Sequence, residues 1–489
     1  MGNLTQALSI ALSGLQTSSA LISLASNNIS NASTAGYTDK TADVTSVDFG
    51  ASFGGTQIAS YGRATNDALT TNYNTATSAA SYTGTQNTYM TQIQTILDST
   101  SSNPTLSSDI ANFSSAWNQY ASSPESNVAQ QGVITAGQTL ANDIQSASAS
   151  VGTLVSQVQG DISNNVSSLN ADLKQIASVN TSIQDATTTG LPTGDLQDQL
   201  GTLVNQVSNY MNVSVQSRAN GQIALFTPSG QLLVDSAAPQ TFSWNGTAIT
   251  DTNGTNVTGS FTGGSLQAAT DFISNSTAAT ASSTPGVGVI GKFNAQMSTL
   301  INSLTSATIP TTLGGTTSVN NSFANTYSAA VTASTAVGAT QAGDPVASSF
   351  FTVTNGTNGQ PDPSTFNVNT GLTASTSDLP QSSVQAIANS FNAVGNYTAS
   401  GLSAQGVTYA GLTSGILSSF QQTANIISSQ STTATSQQTY YQQSLSNATG
   451  VNIDTELANL VAYQNSYAAS AHVISTVNQM LTTLMGVLS

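Results

Sequence analysis

Cysteine is absent from the 489-residue chain, and charge is scarce, with five Lys or Arg, 21 Asp or Glu and one His. Without cysteine there is no disulfide, thiolate metal site or thiol nucleophile. The single histidine, His472, excludes a His-based metal cluster and a Ser-His-Asp triad. Five scattered cations and a net charge of -16 oppose binding to nucleic acid and to anionic membranes. We therefore expect no catalytic residue, no cofactor, no metal, no nucleic-acid partner and no membrane partner.

Two kinds of apolar segment are also expected to be absent. We find no apolar run that approaches the roughly 18 residues of a membrane span. The beginning of the chain lacks the basic leader and the long apolar core of a secretory signal. We therefore expect that an exported form would leave the cell without a cleaved signal peptide.

The residues that are present favour a folded protein of several domains. The hydrophobic share of 38% is enough to build a core, and 489 residues predict two to four domains or an elongated arrangement. Ser, Thr, Asn and Gln replace the missing charges. A polar surface without charge suits a subunit whose faces are covered by neighbours, because no ion has to be desolvated. A compositional habit of the lineage explains the same feature equally well.

Both ends of the chain carry apolar residues at seven-residue spacing, a pattern that predicts coiled-coil-like helices. The first runs from Leu4 to Ala32 and the second from Ile453 to the end. Residues 1–38 contain no charged side chain, and after Glu456 the only residue among Asp, Glu, Lys, Arg and His is His472. Because one helix cannot bury its own stripe, we expect the terminal helices to pair and then to be covered by other subunits. The predicted assembly interface is Leu8, Leu15, Ile22, Ile29, Leu460, Tyr467, Ile474, Leu481 and Leu488.

Between the ends, helical spacing changes to strand-like runs with Asn-Gly turns from about residue 211. The predicted fold class is α + β and multidomain, with discontinuous domains, paired terminal coiled-coil helices, a long helical bundle and a β-rich outer region. We predict a terminal coiled-coil domain from 1–35 and 446–489, a mainly helical rod domain from 36–210 and 374–445, and a β-rich outer region from 211–373 with an inserted helix near 289–304. Helices are predicted over Tyr73–Leu97, Leu106–Tyr120, Ala136–Ile183, Val384–Val394 and Ile416–Leu445.

Two strings resemble functional motifs only in form. Gly286, Gly288 and Gly291 make a GxGxxG, but no strand precedes them and no acidic residue follows at the spacing of a ribose contact. Asp195 and Asp198 are three residues apart, a spacing that places two carboxylates on one helix face as a glycosidase-like pair would require. The Leu-rich sequence that follows them favours a helix start, where acids complement the helix dipole.

The sequence at both ends resembles the flagellar axial proteins. Ser26-Asn-Asn-Ile-Ser-Asn31 is followed by Thr34-Ala-Gly-Tyr-Thr38, and the Gly-Tyr-Thr ending is similar to that of the hook-associated protein 1 branch. The far end agrees, with Gly450 to Asp454, Glu456 to Leu460 and Val473 to Leu481. That branch usually continues with Arg where this chain has Asp39. The family signature is Asn27, Asn28, Asn31, Gly36 and Tyr37.

The resemblance implies a structural subunit, not an enzyme, at the junction between the flagellar hook and filament and required for filament assembly. It implies an extracellular location in the flagellum after type III export without a cleaved signal. The implied partners are copies of the chain in a ring or tube, the hook protein, a second junction protein adjoining the filament, and a flagellar export chaperone. The alternatives are a hook or distal rod subunit and, in another class, an exported surface adhesin.

Overall fold

Long helices make up most of the chain. A computed structural model describes residues 2–49, 52–97, 106–218, 220–274, 288–305, 322–336, 349–356, 360–374, 379–381, 383–399 and 402–488. The helices are α1 Gly2–Asn31, α2 Asp67–Leu97, α3 Leu106–Ser122, α4 Asn127–Thr189, α5 Gly194–Tyr210, α6 Gly264–Ile273, α7 Val289–Thr305, α8 Ser322–Ala336, α9 Thr370–Ala374, α10 Val384–Ser390, α11 Tyr409–Thr449 and α12 Ile453–Leu488.

The sequence located the principal helices. Each of the predicted helices, including both terminal ones, is observed, with ends that shift by up to nine residues. The longest, α4, has 63 residues, and its apolar residues at helical spacing form one buried face. Short helices α6 and α8 and most of α9 lie within the region predicted to be β-rich, where the sequence analysis expected only the helix observed as α7.

The strands form small antiparallel sheets. Their order is β1-β2, β3-β4-β5-β6, β7-β8, β10-β9 and β11-β12. The strands are β1 Lys40–Phe49, β2 Ser52–Arg63, β3 Ser214–Ser217, β4 Ile223–Phe226, β5 Leu232–Asp235, β6 Ala238–Pro239, β7 Ser243–Trp244, β8 Ile249–Thr250, β9 Phe351–Thr352, β10 Asn367–Val368, β11 Gly395–Ala399 and β12 Leu402–Val407. The fold class predicted from the sequence is confirmed.

The β1-β2 ribbon corrects one part of the sequence analysis. Residues 40–63 were expected to belong to a mainly helical region, yet β1 and β2 pair over their whole length, with two bulges. Strand β1 contains four β-branched residues, Thr41, Val44, Thr45 and Val47, a composition that favours strands. That short-range signal was available in the sequence and was missed.

The chain forms two compact units. Unit 1 contains residues 1–81, 165–266 and 433–489, and unit 2 contains residues 82–164 and 267–432. Each unit is built from segments that are distant in the sequence. These boundaries cut the chain at points other than those of the three predicted domains, so the three-domain division stays a prediction.

Unit 2 has an aromatic core around α3. The ring of Phe113 contacts those of Trp117, Phe323, Phe350 and Phe391, with centroid distances between 5.2 and 6.3 Å. Aromatic pairs in such edge-to-face and tilted arrangements stabilise a core beyond the area they bury. This packing holds α3 in place within unit 2.

The hydropathy of α1 corrects another expectation. Residues Leu4–Asn31 contain an 18-residue window of mean hydropathy 1.4, so by length and composition alone this helix could cross a membrane. A core helix of a soluble protein and a signal sequence near an N-terminus pass the same test. Serine, threonine and alanine interrupt the large apolar residues of α1, which is why no continuous apolar run was evident.

Candidate functional site

The two terminal helices pair antiparallel within unit 1. Asn28 on α1 donates a hydrogen bond to Glu456 near the beginning of α12. Nearer the beginning of α1, Gly14 faces Ser470, whose Oγ lies 3.1 Å from the position that a Cβ on Gly14 would occupy. The two contacts are equally far apart along both helices, so they fix one register. The predicted pairing of the chain ends is confirmed.

Small side chains line the α1 side of this pair. Ala11, Ser18 and Ala25 are one heptad apart and buried, and Glu456 and Val477 are buried on α12. Small residues at a helix contact allow a short interaxial distance. The buried row therefore lies beside the row that the sequence analysis placed at the centre of the interface. All four members of that predicted row on α1 are half-buried: Leu8, Leu15, Ile22 and Ile29.

Helix α12 keeps apolar surface that α1 does not cover. Ile453, Leu457 and Val461, which we call the outer stripe, are 45%, 46% and 56% exposed. They are spaced four residues apart and so follow one side of the helix. The sequence analysis did not include them in the interface. Of the predicted α12 residues, Leu460, Ile474 and Leu481 are half-buried, Tyr467 is exposed, and the side chain of Leu488 lies outside the described residues.

The β1-β2 ribbon covers a second side of α1. The Thr56 amide donates to Ser13 Oγ at 3.1 Å, and Thr17 Oγ1 donates to the Thr56 carbonyl at 3.2 Å. Gly55 adopts φ +116°, and a Cβ there would lie 2.0 Å from Ser13 Oγ. A glycine is therefore required at this close approach. Helix α1 is held between α12 and the ribbon.

Asn28 is the centre of a polar cluster at the base of the helix pair, and it is 1% exposed. Its Nδ2 donates to Asp39 Oδ1 at 2.8 Å, to the Lys40 carbonyl at 2.9 Å and to Glu456 Oε2 at 3.3 Å. Its Oδ1 accepts from the Tyr37 hydroxyl at 2.8 Å and from the Lys40 amide at 3.1 Å. One side chain thus joins α1, the beginning of β1 and the beginning of α12.

Asp198 on α5 is a second centre of polar contacts, linked to the first through Lys40. Its carboxylate accepts from the Thr38 amide at 2.9 Å, from Thr38 Oγ1 at 2.7 Å and from Arg63 Nη1 at 3.0 Å. It also pairs with the buried ammonium of Lys40. A buried carboxylate is stable when this many charge-assisted hydrogen bonds replace water. The ion pairs fasten the open end of the ribbon, where Lys40 begins β1 and Arg63 ends β2, to α5.

The signature turn between α1 and β1 positions these groups. Gly36 has φ +82°, and a Cβ on it would lie 2.7 Å from Thr202 Oγ1. Burial, together with the carboxylates of Asp195, Asp198 and others, raises the pKa of Tyr37 to about 12. The phenol is therefore neutral at physiological pH and donates its proton to Asn28.

Two carboxyls meet at Asn28. Burial, and after it the charge of Glu456, raise the pKa of Asp39, and Lys40 opposes this shift. The Asp39 amide also donates to the Thr449 carbonyl at 2.8 Å, at the end of α11. Asp39, where the hook-associated protein 1 branch usually has Arg, therefore takes part in the contacts that join α1, α11 and α12. We call Asn28, Tyr37, Asp39, Lys40, Arg63, Asp198 and Glu456 the root cluster.

The signature residues have different roles. Asn28, Gly36 and Tyr37 belong to or support the root cluster. Asn31 Nδ2 donates to the Asn27 carbonyl at 3.0 Å within the last turn of α1. The side chain of Asn27 is exposed. Sequence reasoning did not predict that Asp198, Lys40, Arg63 and Glu456 meet, because residues this far apart carry no local signal of their contact.

Asn28→Ala should lower the free energy of unfolding of unit 1 by about 3 kcal/mol, since it leaves several buried polar groups without partners. Asn27→Ala is the matched control on the exposed face and should stay within about 0.5 kcal/mol of the parent. Urea unfolding, with hydrogen exchange of residues 2–31 as the readout, measures both. Equal stability of the two variants would refute the role given to Asn28.

The discounted motifs show no catalytic arrangement among the described residues. Gly286 lies outside them, and Gly288 forms the turn before α7. Asp195 is 87% exposed in the first turn of α5, as expected of a helix start, and lies 3.7 Å from Lys40. His472 is exposed on α12. Among all the residues that the structure describes, no three His, Asp or Glu side chains are grouped so as to hold a metal.

Two protein families match parts of the chain. Residues 90–308 match the family described as flagellar hook-associated protein FlgK helical domain. Residues 442–487 match the family described as flagellar basal body rod FlgEFG protein C-terminal. The second match contains nearly all of α12.

Curated relatives are also flagellar hook-associated proteins. Flagellar hook-associated protein 1 of Bacillus subtilis is 24% identical over 240 residues, which are 47% of this chain and 47% of the relative. The protein of the same name from Salmonella typhimurium is 27% identical over 231 residues, 46% of this chain and 41% of the relative. The chain therefore matches slightly less than half the length of these relatives. A solved structure, the flagellar hook junction protein FlgK from Burkholderia pseudomallei, is 22% identical with a TM-score of 0.41 over 48% of this chain and 42% of that one.

Proposed function

We propose that this chain, which carries the helical domain of the flagellar hook-associated proteins, is a structural subunit that joins the hook of the bacterial flagellum to its filament. Its work is assembly and not catalysis. Copies of the chain would form a ring or tube, with the hook protein on one side and a second junction protein adjoining the filament on the other.

The observation that carries this proposal is the helix pair, whose only acidic residues are at the beginning of α12, with its uncovered apolar surface. Between Met1 and Thr38, and again after Glu456, the chain has no Asp, Glu, Lys or Arg. Ile10 and Leu12 on α1 are exposed together with the outer stripe of α12. Burying apolar area yields about 25 cal/mol per Å², so a neighbouring helix pair would stabilise these surfaces. Exposed apolar stripes of this kind mark interaction sites.

The predicted interface residues fit the same proposal. Leu8, Leu15, Ile22 and Ile29 are only half-buried within the chain, so part of each side chain is available to a second copy. The outer stripe adds a further surface on α12. A head-to-tail contact between two different surfaces closes into a ring or continues as a tube.

Export and location follow from the same role. The flagellar junction lies outside the cell, so the subunit must be exported, and the proposed route is the flagellar type III apparatus with a chaperone that binds the chain before export. The scarcity of charge on the terminal helices makes them prone to premature association, which a chaperone would prevent.

A hook or rod subunit is the second candidate. The match of residues 442–487 to a rod protein family favours it. That segment contains the terminal helix, whereas the match of residues 90–308 concerns a hook-associated domain and covers much more of the chain. We therefore prefer the junction.

A strain that lacks this chain distinguishes the two candidates. If the chain is the junction subunit, the cells should be non-motile, with complete hooks, no filaments, and filament protein shed into the medium. Complementation with the parent gene should restore filaments. Loss of the hook itself would contradict the junction assignment and favour the hook or rod.

A further inference from the structure

An unusual acid is buried in the core of unit 2. Asp109 lies in the first turn of α3 and is 1% exposed. One turn further along, Phe113 packs where Gly137 on α4 leaves room. Neither carboxyl oxygen of Asp109 has a hydrogen-bond partner among the described residues. An isolated carboxylate in such a place is costly, because no dipole replaces the lost water.

The titratable group that acts on Asp109 is another acid. Asp143, half-buried on α4, is close enough to bond to it. Two ionised carboxylates are both acceptors and repel each other, so they cannot form that bond. Protonation of one supplies the missing donor. Burial first, and then Asp143, raise the pKa of Asp109 to about 7.

Other elements around α3 bring no compensating charge. Helix α10 contains no titratable residue, α8 contains Tyr327, and the part of α11 in unit 2 contains Tyr409. Tyrosine is uncharged near neutral pH. Unit 2 contains a single Lys or Arg, Lys292 on α7, and burial lowers the pKa of Lys292.

We propose that Asp109 and Asp143 form a proton-binding pair, in which one shared proton fastens α3 to α4 within unit 2. The protonated Asp109 donates its O–H to the carboxylate of Asp143. When the proton leaves, the buried carboxylate of Asp109 and the half-buried carboxylate of Asp143 face each other without a donor, and the contact between the helices weakens. Unit 2 is thereby least stable at neutral to alkaline pH.

The direction of the pH effect follows from linkage. Asp109 has a higher pKa in the folded chain than the ordinary value of 3.8. The folded state therefore binds the proton more tightly than the unfolded state. The stabilisation is complete below the unfolded value and is lost as pH rises through about 7. Asp271 in the same unit has its pKa raised by burial, so it adds a smaller dependence of the same sign.

The test uses the full chain with one tryptophan. Of the two tryptophans, Trp117 is buried in unit 2 and Trp244 lies in unit 1. Trp244→Phe leaves Trp117 fluorescence as a probe of unit 2 in urea unfolding. Between pH 5 and pH 8 the unfolding equilibrium constant should rise by roughly tenfold to hundredfold from Asp109 alone. Asp109→Asn should remove at least tenfold of that rise, because an amide donates to Asp143 at every pH.

Two further variants complete the test. Asp143→Asn should also reduce the rise, because its amide supplies a donor to the Asp109 carboxylate. Glu125→Gln, at an exposed position of the same unit, should leave the rise unchanged. If Asp109→Asn fails to fold, Asp143→Asn decides alone. An undiminished rise in every folded variant overturns the proposal, since a packing role changes stability at all pH values equally. The outcome is independent of the junction function.

Discussion

Cells in which Leu457 and Val461 are both replaced by aspartate are expected to be non-motile and to lack filaments, while the variant still folds and is still secreted. Both side chains lie in the outer stripe and are about half exposed in the single chain. A carboxylate is well solvated there until a neighbouring subunit covers it. Covering it costs several kcal/mol per subunit, or requires protonation, and the cost recurs at each equivalent contact. Motility assays and immunoblots of the medium measure the two parts of this expectation.

Two other variants show which surface is responsible. Asn465→Asp introduces the same charge at an exposed polar position of α12 and should be mild. Asn459 is unsuitable as a control because its Nδ2 donates to Glu456 Oε1 at 3.2 Å. Ile474→Asp, in the predicted interface and half-buried, should lose filaments and also weaken the helix pair in the isolated chain. Motile, filamented cells carrying the Leu457 and Val461 double variant would show that the outer stripe is not an assembly surface.

Asp198→Ala should lower the free energy of unfolding of unit 1 by about 3–5 kcal/mol, the usual cost of removing one partner of a buried ion pair. The Lys40 ammonium would remain 8% exposed without its buried counterion, and Arg63 and Thr38 would lose their acceptor. Because the root cluster fastens the ribbon to α5, hydrogen exchange should accelerate throughout β1 and β2. Chemical unfolding combined with exchange mass spectrometry gives both quantities.

Asp195→Ala is the matched control, one turn earlier on the same helix. Its carboxylate is 87% exposed and 3.7 Å from Lys40, so screening by water should keep the change below about 1 kcal/mol. Equal losses from the two substitutions would mean that the charge near the beginning of α5 matters and the buried pair does not.

The helices marked by periodic apolar residues were predictable from the sequence, and most contacts between side chains of distant segments were not. Heptad spacing at both ends predicted α1, α12 and their pairing, because periodic apolar residues are a local signal. The same spacing did not reveal which row would face inward. Ala11, Ser18 and Ala25 are buried in place of the leucines, since small side chains allow the helices to approach.

The root cluster shows the limit most clearly. The motif that ends α1 drew attention to Asn28 and Tyr37. That motif resembles those of flagellar axial proteins, in agreement with the matched families. Lys40, Asp198 and Glu456 come from segments separated by more than 150 residues, and nothing in their own neighbourhoods indicates that they meet. Scarcity of charge was the overlooked signal. In a chain with five cations, two of them, Lys40 and Arg63, meet at one carboxylate.

The position of the chain in the flagellum tests the central claim most directly. Antibody raised against the purified chain, with gold detection on isolated hook and filament complexes, shows where the subunit lies. The junction role predicts one narrow band at the boundary between hook and filament, absent from the deletion strain and restored by the parent gene. Label along the whole hook, or on the rod alone, would contradict it.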